Sequence, residues 1–153
     1  MEQIVVRTVP RLKVVSLRER ISDFKEQGRL WGELHGFADQ SGLVKTGPGL
    51  TLLHSLEPIE VEICIPVDQC PQHDRFHVRV LPEQLMAVNT FRGPMHNVSE
   101  AYVEMQQWLK EKGHTVVGPS REVYIKIPTN CTAQNQNPEP VHVEVQFPIG
   151  ADA

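Results

Sequence analysis

The sequence predicts an α+β domain in which one strand-strand-helix-strand-strand module occurs twice. Two segments with apolar residues at helical spacing, Asp23–Gln40 and Val98–Lys112, are each flanked by β-branched runs. The features of both halves also recur at a nearly constant offset. We therefore expect antiparallel strands in one curved sheet or two sheets, two principal helices, and a central cavity at the pseudo-twofold seam between the halves.

The first half begins with two strands that meet at Pro10-Arg11. Ser22 and Asp23 are the expected N-cap residues of the first helix, and Gly42 is expected to end it. The chain then turns at Gly47-Pro48 into two further strands. The four expected strands are Ile4–Val9, Leu12–Ile21, Leu50–His54 and Ile59–Ile65.

The second half follows the same order. Asn97 is expected to cap the second helix, with Glu100 in the capping-box position, and Gly113 is expected to end that helix. A polar, turn-rich loop from Pro128 to Pro140 precedes the last strand. The expected strands are Phe76–Val80, Gln84–Phe91, Glu122–Ile127 and Val141–Phe147.

An offset of 71 residues aligns the helices and turns of the halves, about residues 3–67 and 75–149. The last strands align at an offset of 82, because about eleven residues are inserted before the final strand. Each half alone has too small a core to be stable, which predicts one joint domain, residues 1–153. The aligned pairs include Leu17 with Val88, Trp31 with Tyr102, Leu34 with Met105, Phe37 with Trp108, Gly42 with Gly113, Thr51 with Glu122, and Gly47-Pro48 with Gly118-Pro119.

The strand that contains Glu122 has two different faces. Val123 and Ile125 lie on an apolar face, which we expect to be the core face, while Glu122 and Tyr124 lie on the other. A carboxylate beside an aromatic ring suits an organic cation if a cavity lies above it. The alternative is that Glu122 is a solvated strand residue, since exposed glutamate is the rule.

The net charge, the apolar runs and the start of the chain argue against several classes of protein. The chain has 153 residues and a net charge of −4 with no run of Lys or Arg, which argues against direct nucleic-acid binding. No apolar run reaches membrane-spanning length, and the start of the chain has no signal-peptide pattern. We therefore expect a cytoplasmic protein without membrane contact, whose three cysteines are reduced.

The order of these features resembles the GyrI-like small-molecule-binding domain, the effector-binding module of multidrug-sensing transcription regulators and of gyrase-inhibitor proteins. The likeness lies in the duplicated halves, Gly-Pro before Glu122-Val-Tyr-Ile, and the closing Val-Glu-Val-Gln-Phe-Pro-Ile run, and it covers about Gln3 to Gly150. It implies that Glu122 faces a central cavity and meets the charge of lipophilic cations. Phe91 and His96 match positions near the family's pocket aromatics, and Tyr124 joins Glu122 by strand alternation.

The chain also departs from the drug-sensing pattern. Aromatic residues make up only 6% of the sequence, which predicts less stacking on a ligand. No helix-turn-helix precedes the domain, so the resemblance implies either a free-standing protein or a domain with a separate or fused DNA-binding partner. We expect a small, cationic and aromatic ligand and no cofactor.

Three further groups have competing interpretations. Trp31 lies on a helix stripe, where it is either core or a platform for a ligand. Glu144 and Glu62 occupy equivalent last-strand positions and either face the cavity or are solvated. Cys64, Cys70, His73 and His77 include metal-ligating types, but their spacing fits no closed tetrahedral site, so we expect no metal.

Three functions remain open at this stage, and a binding module is favoured. The resemblance also admits a hydrolase of strained, cyclopropane-bearing toxins, with Glu122 as general base and Tyr124 as acid if burial raised the glutamate pKa. A third function is inhibition of a topoisomerase through protein interaction. The sequence contains no nucleophile elbow and no glycine-rich nucleotide loop, so an enzyme is the less favoured reading.

Overall fold

The structure, a computed structural model, describes residues 4–70, 73–126 and 140–150. Cys131 and most of the predicted Pro128–Pro140 loop lie outside the described residues. The chain forms two compact units, which we name unit I (Pro10–Glu83) and unit II (Met1–Val9 with Gln84–Ala153). Each unit contains four antiparallel strands and one long helix, which confirms the predicted α+β class.

The predicted strands and helices all form, with ends shifted by a few residues at most. The helices are α1 (Gln27–Gln40) and α2 (Ser99–Lys112). The strands are β1 (Val5–Val9), β2 (Leu12–Ile21), β3 (Leu50–Leu56), β4 (Ile59–Pro66), β5 (His77–Leu81), β6 (Gln84–Gly93), β7 (Ser120–Lys126) and β8 (Val141–Pro148).

Unit I has the strand order β3-β4-β2-β5, and α1 packs against one face of the sheet. Leu30, Leu34 and Ala38 recur at helical spacing and are fully buried against that face. The core is completed by inward-facing strand residues and by Phe76. The inward-facing strand residues are Val15, Leu17, Ile21, Val61, Ile63 and Ile65.

Unit II has the matching order β7-β8-β6-β1 and carries α2 on its sheet. The buried helix residues Ala101, Met105 and Leu109 occupy the positions equivalent to those of α1. They belong to two apolar clusters, one around Phe91 and one around Ile149. The site described below lies in the first of these clusters.

The first strand of each predicted repeat pairs with the other repeat. β1 pairs with β6, and β5 pairs with β2, each in antiparallel register. Each compact unit therefore takes its edge strand from the half of the sequence that does not supply its helix.

The helix ends test the predicted capping residues. Asp23 is an N-cap, as expected, and accepts a hydrogen bond from the Lys25 amide, although it caps a 3₁₀ turn that leads into α1. It also forms a capping box with Glu26, which was not predicted. Gly42 and Gly113 have φ angles of 65° and 71°, the left-handed conformation that ends a helix. The predicted Asn97 cap is wrong, because residues 95–97 form a 3₁₀ turn and no side chain caps α2.

The sheet register corrects one member of the repeat alignment. Leu17 lies opposite Ile63 in unit I, whereas Asn89 lies opposite the equivalent Val145 in unit II. Leu17 is therefore equivalent to Asn89, not to Val88. The shift arises between strand and helix, where unit I has two residues before its 3₁₀ turn and unit II has only Pro94.

Candidate functional site

Glu122 lies on the helix-facing side of the unit II sheet. In the β7–β8 register it is opposite Val145, and Tyr124 is opposite Val143. Both valines are fully buried in the cluster beneath α2, so Glu122 and Tyr124 project toward that cluster. The expectation that the opposite face of β7 is the core face is wrong, since Ile125 is 42% exposed.

Two tyrosines donate hydrogen bonds to the Glu122 carboxylate. The Tyr102 hydroxyl group, from α2, donates to Oε2. The Tyr124 hydroxyl group donates to Oε1 at 3.3 Å. A helix residue and a strand residue therefore hold the same carboxylate, and the position of Glu122 is fixed from two directions.

Burial controls the protonation of this group. It raises the pKa of the Glu122 carboxyl group, and the hydrogen bonds from Tyr102 and Tyr124 lower that pKa by less. Burial and the adjacent Glu122 also raise the pKa of the Tyr102 phenol, so Tyr102 remains a neutral donor. The site thus holds a carboxyl group that is costly to ionise in the absence of a positive partner.

In the described part of the chain, no Lys, Arg or His forms an ion pair with Glu122. The buried carboxylate of unit I differs in this respect. Glu62, which is 3% exposed, accepts bonds from Arg79 at 2.7 and 2.8 Å, from Ser16 at 2.6 Å and contacts His54 at 2.9 Å. Burial pushes the Glu62 pKa upward, but these contacts together outweigh it and lower the pKa. Of these two carboxylates, Glu62 is the one that pairs with a cationic side chain among the described residues.

The surroundings of Glu122 are apolar and aromatic. Phe91 is 8% exposed and packs closely over Gly93, where a Cβ atom would lie 3.2 Å from the ring. Tyr102 and Phe147 meet edge to face with ring centroids 6.0 Å apart. The remaining neighbours in this cluster are Met95, Val98, Ala101, Val141, Val143 and Val145.

The structure brings together some of the predicted site residues and separates others. Phe91 and Tyr124 lie in the same cluster, beside Glu122. His96 is exposed in the 3₁₀ turn before α2. Trp31 packs on the core of unit I and near His35, with ring centroids 5.6 Å apart.

Glu144 lies on the sheet face opposite Glu122. It alternates with the buried Val143 and Val145 along β8, and its carboxylate accepts a bond from Arg7 at 2.6 Å. Gln146 also donates to Glu144 at 2.9 Å. The two equivalent glutamates, Glu62 and Glu144, therefore each face away from the helix of their unit and each pair with an arginine from the exchanged edge strand.

Sequence reasoning missed Tyr102 and Asn89. The repeat alignment placed Tyr102 on the apolar stripe of its helix, but no local pattern joins it to Glu122, twenty residues later. Asn89 was hidden by the one-residue shift in β6. It is 1% exposed and donates through Nδ2 to the Ala101 carbonyl at 3.0 Å.

The residues considered as metal ligands do not form a metal-binding group among the described residues. His73 packs against Phe37 and Phe76, with ring centroids 4.9 and 5.1 Å away. No group of three potential metal ligands occurs within residues 4–70, 73–126 and 140–150. In the same ranges, no helix is both long and apolar enough to cross a membrane.

Comparisons with known proteins bear on the whole chain. The sequence model of the GyrI-like small molecule binding domain matches residues 2–149. No curated protein sequence matches. The crystal structure of the EcmrR C-terminal domain is similar, with 24% identity, a TM-score of 0.86 and 98% of each chain covered.

Two further solved structures extend the comparison. EcmrR in its complex with DNA has 24% identity and a TM-score of 0.85, with 97% of this chain and 57% of the EcmrR chain covered. The chain thus spans little more than half of that regulator. SAV2435 bound to tetraphenylphosphonium has 13% identity and a TM-score of 0.63, with 97% of this chain and 94% of the other covered. At these identities the structures establish a shared fold.

Proposed function

The chain belongs to the GyrI-like family of small-molecule-binding domains, and from this premise we propose that it binds lipophilic organic cations against Glu122. The observation that carries the proposal is a partly buried carboxylate that phenols hold in place and that no described Lys, Arg or His neutralises. A ligand with a positive charge would supply the missing partner. Aromatic rings around the carboxylate would contact its apolar groups.

Magnitudes favour a cation over a neutral ligand of the same shape. Two unit charges 4 Å apart attract by about 4 kcal/mol at an effective dielectric of about 20, before desolvation is subtracted. An aromatic face such as Tyr124 or Phe91 adds about 0.5 to 2 kcal/mol. Both gains depend on the ligand charge, since the neutral analogue keeps only the apolar contacts. SAV2435, which shares the fold, binds a lipophilic cation.

The first prediction concerns the charge of Glu122. Glu122→Gln keeps the shape of the side chain and removes its charge, so a lipophilic dye cation should bind about tenfold or more weakly, each tenfold being about 1.4 kcal/mol. A neutral analogue of the dye should bind almost equally to both proteins. Fluorescence titration of the two dyes measures the change.

Glu144→Gln is the matched control for this titration. It removes a carboxylate from the same unit, but from the opposite sheet face and from an ion pair with Arg7. We expect the dye cation to bind this variant as it binds the wild type. Equal affinity of the cation for wild type and Glu122→Gln would remove Glu122 from the site.

A hydrolase is the second candidate, and one observation favours it. A carboxyl group with a raised pKa and two phenol donors is suited to activating water near neutral pH. This function predicts that Glu122→Gln still binds a strained, cyclopropane-bearing electrophile while its turnover disappears. Product formation by wild type and variant, followed by chromatography, distinguishes it from simple binding.

A regulatory role would require a DNA-binding segment or partner in addition to this domain. We propose that the domain senses or sequesters its ligand as part of a transcription or drug response, as suits a family that includes effector-binding modules. EcmrR was solved in a complex with DNA, and the part of the EcmrR chain that matches this protein is 57% of its length. A DNA-binding segment or separate partner would therefore convert ligand binding into regulation.

A further inference from the structure

The side-chain amide oxygen of Asn89, Oδ1, lies in the core of unit II without a hydrogen-bond partner among the described residues. The amide cannot simply rotate to correct this, because its Nδ2 donates to the Ala101 carbonyl. A buried acceptor left unbonded costs about 1 to 3 kcal/mol, so each one calls for an explanation such as a water or a ligand.

Asn89 lies in the same row of the sheet as Glu122. Asn89 on β6 and Glu122 on β7 both pair with Val145 on β8, one from each side. All three therefore point to the face covered by α2, and two strand spacings, about 10 Å, separate the outer Cα atoms. The same helical turn meets both polar groups, since Ala101 contacts Asn89 and Tyr102 contacts Glu122.

Unit I has different residues in the equivalent row of its sheet. Its equivalent residues in the row are Leu17, Ile63 and Thr51. Leu17 is 2% exposed and packs in the apolar core. In the row of unit II, Asn89 stands where unit I has Leu17, and Glu122 stands where unit I has Thr51. Both residues of unit II are more polar than their equivalents.

We propose that Asn89 is a second polar ligand contact and that the site selects protonated amines over quaternary cations. The inference rests on the proposed function, because it extends the Glu122 site. A primary, secondary or tertiary ammonium group has an N–H that Oδ1 of Asn89 can accept, while its charge lies against Glu122. A quaternary ammonium group has the same charge and no N–H, so it leaves Oδ1 unbonded.

The test uses a lipophilic tertiary amine and its N-methyl quaternary analogue, both cationic at pH 7.5. Calorimetric titration into wild type should show about tenfold tighter binding of the tertiary amine. Asn89→Leu, which installs the residue found in unit I, should reduce this preference to near unity. The variant should also melt no lower than wild type, because it removes an unbonded buried acceptor.

Gln146→Leu is the matched control. Gln146 is also buried with an unpartnered amide oxygen among the described residues, but it alternates with Val145 and lies on the face away from α2. This variant should keep the wild-type preference. If Asn89→Leu does not fold, Asn89→Ala serves the same purpose.

The outcomes separate this inference from the proposed function. A preference that Asn89→Leu leaves unchanged, or no preference in wild type, overturns the role of Asn89 while cation binding stands, and indicates that Oδ1 binds water. If neither amine binds, or Glu122→Gln binds both as wild type does, the proposed function itself fails and the inference fails with it.

Discussion

The carboxylates of Glu62, which is buried, and Glu122, which is partly buried, are compensated in different ways. Glu62 meets an arginine, a serine and a histidine, and its charge is neutralised locally. Glu122 meets only the hydroxyl groups of two tyrosines among the described residues. Since a buried charge without a counter-charge is costly, the Glu122 environment is understandable if a cation arrives from outside.

This difference predicts how stability depends on pH. The pKa of Glu122 in the folded protein is raised above 4.5, its unfolded reference. Its contribution to stability is therefore fully present below pH 4.5 and is lost as pH rises through the folded pKa. Glu122→Gln removes this loss, so the variant should be more stable than wild type at pH 8, by about 1 to 3 kcal/mol.

Urea denaturation at pH 4.5, 6 and 8 measures the effect. The advantage of Glu122→Gln should be smallest at pH 4.5 and largest at pH 8, because the raised pKa of Glu122 makes wild type lose stability as the pH rises above 4.5. A variant that is less stable than wild type at pH 8 would contradict a raised pKa and would show that the ionised carboxylate is already well compensated.

At the residue scale, the sequence could predict Glu122 with Tyr124 because strand alternation fixes which side chains share a face. It could not predict Tyr102 or Asn89. Their contacts join a helix to strands, and such pairs depend on how the elements pack, which no local period contains. The family resemblance pointed to Phe91, which belongs to this cluster, and to His96, which is exposed.

At the scale of elements, the alternation of side chains along β7 predicted which residues share a face, but not which of the two faces α2 covers. The apolar residue Ile125 suggested the wrong face. A bulge between Tyr124 and Lys126 breaks the register near the end of the strand, where Ile125 lies. The mutual hydrogen bonds of Glu122 and the tyrosines allow the more polar face to be buried, so polarity alone was a poor guide.

Helix bounds were easier to predict than strand faces. The glycines at the helix ends act through backbone conformation, which is a local property, and both have left-handed φ angles. The prediction for the second N-terminus failed because Pro94 stands alone before the 3₁₀ turn of unit II, where unit I has the capping residue Asp23, and proline has no side-chain acceptor. Because this connection is one residue shorter in unit II, the offset of 71 residues does not hold for β6. The repeat alignment therefore paired Leu17 with Val88 and not with Asn89.

At the scale of the whole molecule, the repeats of the sequence differ from the compact units of the fold. The exchange of β1 and β5 places Arg79 beside Glu62 and Arg7 beside Glu144. Sequence periodicity shows that two halves are related, but it contains no information on which half a given edge strand pairs with. That choice depends on the reach of the connections.

Two fragments of similar length test the importance of this exchange. Residues 10–83 contain all four strands and the helix of unit I, whereas residues 1–67 follow the sequence repeat but lack β5 and its Arg79. We expect residues 10–83 to give a dispersed amide NMR spectrum and cooperative urea unfolding. The shorter fragment should not, because Glu62 loses its arginine and the core loses Phe76.

Equal spectra from the two fragments, or a folded 1–67 fragment alone, would show that the edge-strand exchange contributes little to the stability of unit I. A low stability of residues 10–83 is itself expected, since a domain of about 60 residues buries only about 60% of the surface that its unfolded chain exposes, less than a larger domain does.

A crystal structure of the protein with tetraphenylphosphonium shows whether Glu122 is the counter-charge for a bound cation. We expect the phosphorus atom to lie beneath α2, within about 6 Å of a Glu122 carboxylate oxygen, the range over which opposite charges favour each other's charged form. A bound cation whose nearest carboxylate is Glu62 or Glu144, with Glu122 still held by Tyr102 and Tyr124 alone, would contradict it.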